Sequence, residues 1–280
     1  MIAVTTALPS PPHPVEVVAT AVTLAVCAIG LVAALGNLVR RRRLAPPRGP
    51  SEEAQWTIAD AVAVGLVYLL GNVVLHGALI DAGLGGDPIA RIGLGSLVSI
   101  GACAVAFAMI SARGQSARAL GLCREGAPGS AWSGLVYLLA AFPFIYGLVF
   151  VSHSVAAHLG VEPAINLAAE VFVETESRYV LLLICFVAVF VAPVAEEVFF
   201  RGLLYGPLRT HVGKAWAIAI TSVCFALVHP LVDMPAIALL GVVLALAYER
   251  TGSLVAPISA HAANNVYGLA LLAAERMART

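Results

Sequence analysis

Two adjacent glutamates lie just ahead of an arginine in an otherwise apolar run: Val191-Ala192-Pro193-Val194-Ala195-Glu196-Glu197-Val198-Phe199-Phe200-Arg201-Gly202. A charge at the centre of a membrane helix costs on the order of 2.5–3.5 kcal/mol on insertion scales, so each one needs a reason. Glu197 and Arg201 are four apart, share a helix face and can pair. Glu196 points about 100° away around the helix and has no such partner. It is the carboxylate left for function. A first histidine comes later in Phe225-Ala226-Leu227-Val228-His229-Pro230, where the proline disfavours helix at His229 and puts it at a helix end. A second lies in His261-Ala262-Ala263-Asn264-Asn265, where His261 and Asn265 share a face and Asn264 points elsewhere.

A carboxylate, two imidazoles and an amide in an apolar cavity make a hydrolytic set. Glu196 with His229 would deprotonate a water. His261 with Asn265 would donate hydrogen bonds to the oxyanion of a tetrahedral intermediate. No H-E-x-x-H and no G-x-S-x-G occurs, so the common zinc and serine solutions have no motif here. Three other readings compete. Glu196, His229 and His261 could relay protons in a transporter, although they form one layer instead of a chain of steps. Two histidines and a glutamate could ligate zinc. A scaffold could keep the fold without the chemistry.

The composition says what must hold these groups. Of 280 residues, 60% are hydrophobic and 11% charged, against about 45–50% and about 25% in soluble domains. One aqueous core cannot bury that excess; a bilayer can. The net charge is zero, which argues against a nucleic-acid partner. A hydrocarbon core of about 30 Å needs roughly 20 apolar helical residues. Eight runs qualify, near 15–39, 57–80, 92–111, 131–152, 179–205, 215–231, 235–249 and 254–274, the seventh being the shortest. Turn-forming Gly and Pro clusters separate them. At about 1.5 Å per residue, Glu196 lies roughly 20 Å from Arg209 and His229 roughly 22 Å from Lys214. His261 and Asn265 fall about 11 and 17 Å into the last span, so all four share one layer. Pro193 removes the backbone bond to Val189, and a kink there would admit water beside Glu196.

Arg40–Arg43 come after the first span and no Lys or Arg precedes it, the reverse of a cleavable signal peptide. With that cluster cytoplasmic, both termini lie outside, with eleven basic residues inside and four outside. Cys27, Cys103, Cys123, Cys185 and Cys224 are odd in number and widely spaced, and read as small hydrophobes. The segment His153–Arg178 mixes glutamates with Leu167, Val171 and Phe172, and reads as an interfacial amphipathic helix or a solvated loop.

Three motifs in order, Glu196-Glu197-x-x-x-Arg201, Phe225-x-x-x-His229 and His261-x-x-x-Asn265, resemble the CAAX prenyl protease and bacteriocin-processing (CPBP, Abi) family of intramembrane glutamate proteases. The resemblance covers about residues 130–275 and does not extend to the first three spans. It implies an all-α polytopic fold of about eight helices and a metal-independent endopeptidase without a cofactor. Glu196, His229, His261 and Asn265 would be catalytic, with Glu197, Arg201 and Phe225 in support. The implied organisation is one integrated domain, with N-terminal helices and cytoplasmic linkers over 1–130 and a protease core over 131–275. The implied setting is the cell membrane, and the implied partners are the bilayer and a membrane-associated peptide or protein. The substrate would be a prenylated tail or a C-terminal anchor or leader peptide; non-catalytic immunity proteins share the fold.

Overall fold

The computed structural model describes residues 20–30, 32, 55–122, 126–161 and 166–279. The arginines 40–43, Arg124, Cys123 and Glu162 lie outside them, as do the ends of the first expected span. The described residues form helices and connecting turns. The helices are α1 (Thr20–Gly30), α2 (Ile58–Asp81), α3 (Pro88–Ala112), α4 (Ala127–His158), α5 (Leu167–Glu174), α6 (Arg178–Val212), α7 (Lys214–Leu227), α8 (Met234–Thr251) and α9 (Val255–Arg279).

Local chemistry sets several starts. Thr57 and Asp60 form a reciprocal capping box at α2. Asp87 accepts from Ile89 N at 2.8 Å and precedes Pro88, which is preorganised for the first turn of α3. Asn166 caps α5 through Ala168 N at 2.8 Å. Thus 153–178 is neither one long amphipathic helix nor a plain loop: α4 runs on to His158, Gly160 turns with φ 68°, and α5 comes next. Phe172 of α5 is buried with Val180 and Ile184 against α9.

Among the described residues, five helices are long and apolar enough to cross a membrane: α2, α3, α4, α6 and α8. This is an all-α, multi-pass membrane protein. Helix stands at each of the eight expected positions, but the count of eight full spans is not reproduced. The sixth, α7, is only 14 residues because Pro230 ends it early. The seventh reaches 18 and qualifies. The eighth, α9, has 25 residues but spends apolarity on His261, Asn264, Asn265 and a charged end. Val73, Val74, Leu97, Phe150, Leu182 and Leu227 face outward, a surface suited to lipid and not to water. Exposed Trp132 and Trp216 open α4 and α7 on one side and exposed Tyr179 opens α6 on the other, where amphipathic rings favour the headgroup layer.

One apolar cluster joins Trp56, Val64, Ala102, Ala106 and Ile110 of the α2–α3 region to Val198, Leu203, Ile218, Ala245 and Tyr248 of α6, α7 and α8. Trp56 Nε1 donates to the Leu203 carbonyl at 3.1 Å. Close helix contact elsewhere rests on small residues: a Cβ on Gly134 of α4 would collide with the Ala256 carbonyl oxygen of α9. At the α6–α7 turn, buried Glu249 of α8 takes the Tyr205 hydroxyl at 2.7 Å, Arg209 Nε at 2.6 Å and Lys214 Nζ at 3.0 Å. That network pins three helix ends together.

Candidate active site

Helix α6 carries the two glutamates, and it is not uniformly α. Two π-helical stretches, Val187–Val191 and Val198–Leu204, flank Ala192–Glu197. In the first, the Ala192 N–H donates to the Val187 carbonyl, five residues back. The carbonyl of Ala188 would then be served by residue 193, which is proline and has no N–H. Pro193 therefore leaves the Ala188 carbonyl, as well as the expected Val189, without a bond from its own N–H position, because the turn at Val187 is in π register. Asn265 Nδ2 fills the first of these openings, donating to the Ala188 carbonyl at 2.8 Å.

Beyond that turn the carboxylates diverge. Glu197 and Arg201 are both fully buried. Arg201 Nη1 donates to Glu197 Oε1 at 2.8 Å, and its Nη2 donates to the Gly241 carbonyl at 3.0 Å. The guanidinium lies 4.7 Å from the Phe225 ring centroid, a cation–π contact in a dry setting. His261 occupies the angle between the glutamates. Its Nδ1 is 3.1 Å from Glu197 Oε1, and its Nε2 is 3.8 Å from Glu196 Oε2, beyond hydrogen-bond reach. Glu196 keeps a 30% exposed side chain, whereas that of His261 is 5% exposed. Buried Glu196 Oε2 and Glu197 Oε2 have no hydrogen-bond partner.

His229 sits in the turn after α7. Its Nδ1 donates to the Phe225 carbonyl at 2.7 Å, which leaves Nε2 as the lone-pair nitrogen of the neutral ring. The Phe225 ring touches both histidines, with centroids 5.0 Å from His229 and 5.6 Å from His261.

Glu196 and His229 line one cavity of about 550 Å³. No hydrogen bond or ion pair joins them; what they share is the cavity both line. Phe199, Phe200 and Pro230 stand on their side. The opposite wall comes from α2 and α3, through Gly65, Tyr68, Ser99, Ala102, Cys103 and Ala106. Sequence reasoning missed that wall entirely. Small and apolar types occur in every span, so nothing marks these. His261 and Asn265 do not line the cavity. His261 stands behind Glu196, and the Asn265 amide is turned to backbone. Among the described residues, no three His, Cys, Asp or Glu side chains are grouped to hold a metal ion.

Residues 178–267 match a family model described as Rce1-like, type II CAAX prenyl endopeptidase Rce1-like. The match spans about a third of the chain, from the first turn of α6 into α9, and includes all seven motif residues. It agrees with the resemblance read from the motifs and points to a CAAX-type membrane endopeptidase. No curated protein and no solved structure matches the chain.

Proposed function

We propose that the chain is a metal-independent endopeptidase of the cell membrane that cuts a peptide bond of a membrane-associated substrate at the cavity shared by Glu196 and His229. The observation that carries this reading is the division of labour between adjacent glutamates. Glu197 is spent on Arg201 and His261. Glu196 has no hydrogen-bonded partner at Oε2, stays partly open, and faces an apolar cavity opposite a histidine of fixed orientation.

In this reading a water bridges Glu196 and His229. As its oxygen adds to the scissile carbonyl carbon, its proton passes to Glu196. His229 Nε2 accepts the second hydrogen bond and orients the lone pair. When the C–N bond breaks, the proton on Glu196 goes to the leaving amine. The oxyanion donor read from the sequence is His261; with its Nδ1–H given to Glu197, its Nε2 donates only as the imidazolium, held beside the two glutamates. The largely apolar lining suits a lipid-modified tail. A farnesylated cysteine with two aliphatic residues and a variable one after it is the first substrate to try, in line with the matched family.

The test is cleavage of an internally quenched peptide with that farnesylated terminus by purified protein in detergent, with chelator throughout. Glu196→Gln keeps size and hydrogen bonding and removes the base. Its cleavage should fall by orders of magnitude while thermal unfolding is preserved. Undiminished cleavage by Glu196→Gln removes the glutamate mechanism, and loss on chelation restored by zinc moves the reading to a metal enzyme.

A further inference from the structure

Resting on the endopeptidase reading, we infer that Asn265 is a positioning residue: its amide holds open the π turn that aims Glu196 into the cavity. The donors around Ala188 are too few. Its α-register donor, Ala192, is already given to Val187, and its π-register donor is Pro193, which has none. A part-buried carbonyl in a membrane-spanning helix has no water to turn to and is costly without a partner, so a π turn placed here needs a donor from another element. Asn265 Nδ2 supplies it at 2.8 Å from α9.

The turn governs the direction of every side chain beyond it. A π turn inserts one residue's worth of chain, and each residue is about 100° of rotation. Glu196 lies three residues beyond Pro193. If the turn relaxed to α, the helix past it would swing by roughly that angle about its axis. Glu196 would leave the cavity wall, and Glu197 and Arg201 would be carried together away from His261 and the Gly241 carbonyl. Helix α9 grips α6 at both ends of this segment, through Asn265 on Ala188 and through His261 on Glu197. The two residues are one helical turn apart, so a single face of α9 sets the rotation of the glutamate pair. The oxyanion role expected from the spacing would instead require this amide in the cavity, whose lining does not include it.

The shortage of donors also supplies the test. Pro193→Ala restores an N–H at the position that serves Ala188 in the π register. The work of Asn265 should then become dispensable. Wild type, Asn265→Ala, Pro193→Ala and the double variant are assayed on the farnesylated quenched peptide, below the lowest thermal midpoint of the set. Asn265→Leu, of similar size, replaces Asn265→Ala if the latter does not fold. With Pro193 in place, loss of the amide should lower kcat by at least about 10²-fold, the loss that even an ångström-sized misplacement brings, with little change in KM. In the Pro193→Ala background the same loss should be mostly abolished. The acid limb of the pH profile of kcat/KM should move in Asn265→Ala and return in the double variant, because the surroundings of Glu196 change and recover. A merely structural role lowers the folded fraction and leaves that limb in place. Equal loss of kcat in both backgrounds, with an unmoved limb, overturns the proposal and returns the amide to the oxyanion. Thermal midpoints of the four proteins test the bond without any activity. Equal drops on removing Asn265 in both backgrounds overturn it even if no peptide is cut, whereas an inactive wild type with strongly unequal drops refutes only the endopeptidase reading.

Discussion

Arg201→Met isolates what the buried ion pair contributes. Methionine keeps a long unbranched side chain in a fully enclosed position and removes the charge. Three contacts go at once: Nη1 to Glu197 at 2.8 Å, Nη2 to the Gly241 carbonyl at 3.0 Å, and the cation over Phe225 at 4.7 Å. Glu197 is then a buried carboxylate whose remaining partner is His261 at 3.1 Å. Deleting one half of a buried pair costs about 3–5 kcal/mol. For a chain of this size each kcal/mol shifts the melting midpoint by roughly 2–3 °C, which makes the expected fall roughly 6–15 °C. The double variant Glu197→Leu with Arg201→Met removes both charges, and should recover to within about 1–2 kcal/mol of the parent. It should not recover cleavage, because His261 Nδ1 has lost the carboxylate that orients the ring. Intrinsic fluorescence of Trp56, Trp132 and Trp216 tracks unfolding in detergent, and the quenched peptide tracks activity. An unchanged midpoint in Arg201→Met, or a double variant no more stable than the single one, would refute the reasoning.

Single contacts set the other expectations. His229→Ala should lower kcat as severely as Glu196→Gln at nearly unchanged midpoint, since its ring makes one hydrogen bond, to the Phe225 carbonyl; a wild-type rate would remove it from the water-activating pair. Tyr205→Phe should cost about 1 kcal/mol of stability, the worth of one hydrogen bond, because Glu249 keeps Arg209 and Lys214. Glu249→Leu should cost more, and thermal melts of the two rank them. Gly134→Ala should cost about 1–3 kcal/mol by overpacking, as its Cβ runs into the Ala256 carbonyl oxygen. Gly147→Ala on the same helix meets nothing within 4 Å and should be neutral or slightly stabilising, a direct comparison by melting midpoint.

The helices were legible in the sequence because a bilayer demands long apolar runs, and each of the eight runs is helical over most of what the structure describes of it. The Glu197–Arg201 pair was legible because four residues bring two side chains to one face. The π turns were not. A one-residue change of register leaves no mark on hydropathy, and Pro193 read in α register pointed to the Val189 carbonyl alone. The partner of Asn265 is a backbone oxygen, and Ala188 carries nothing in its side chain to announce it. The burial of Glu249 was hidden for a related reason. It closes the seventh apolar run, and its three partners sit 35 to 44 positions earlier in the chain.

The cavity draws on two separate stretches of the chain. The groups assigned to chemistry lie between Glu196 and Asn265, within the matched stretch. The facing wall is made by Gly65, Ser99, Ala102, Cys103 and Ala106, far upstream of it. Changing the size of those small side chains reshapes the space without moving Glu196, His229 or the α9 face behind them. Phe199 is the reacting-side residue that would notice a change at Gly65, where a Cβ would come within 3.1 Å of its ring. The α2–α3 hairpin is thus an exchangeable lining. On the proposed reading, one hydrolytic centre can be retuned from one molecular shape to another by drift in two helices that carry none of its proposed acid–base groups.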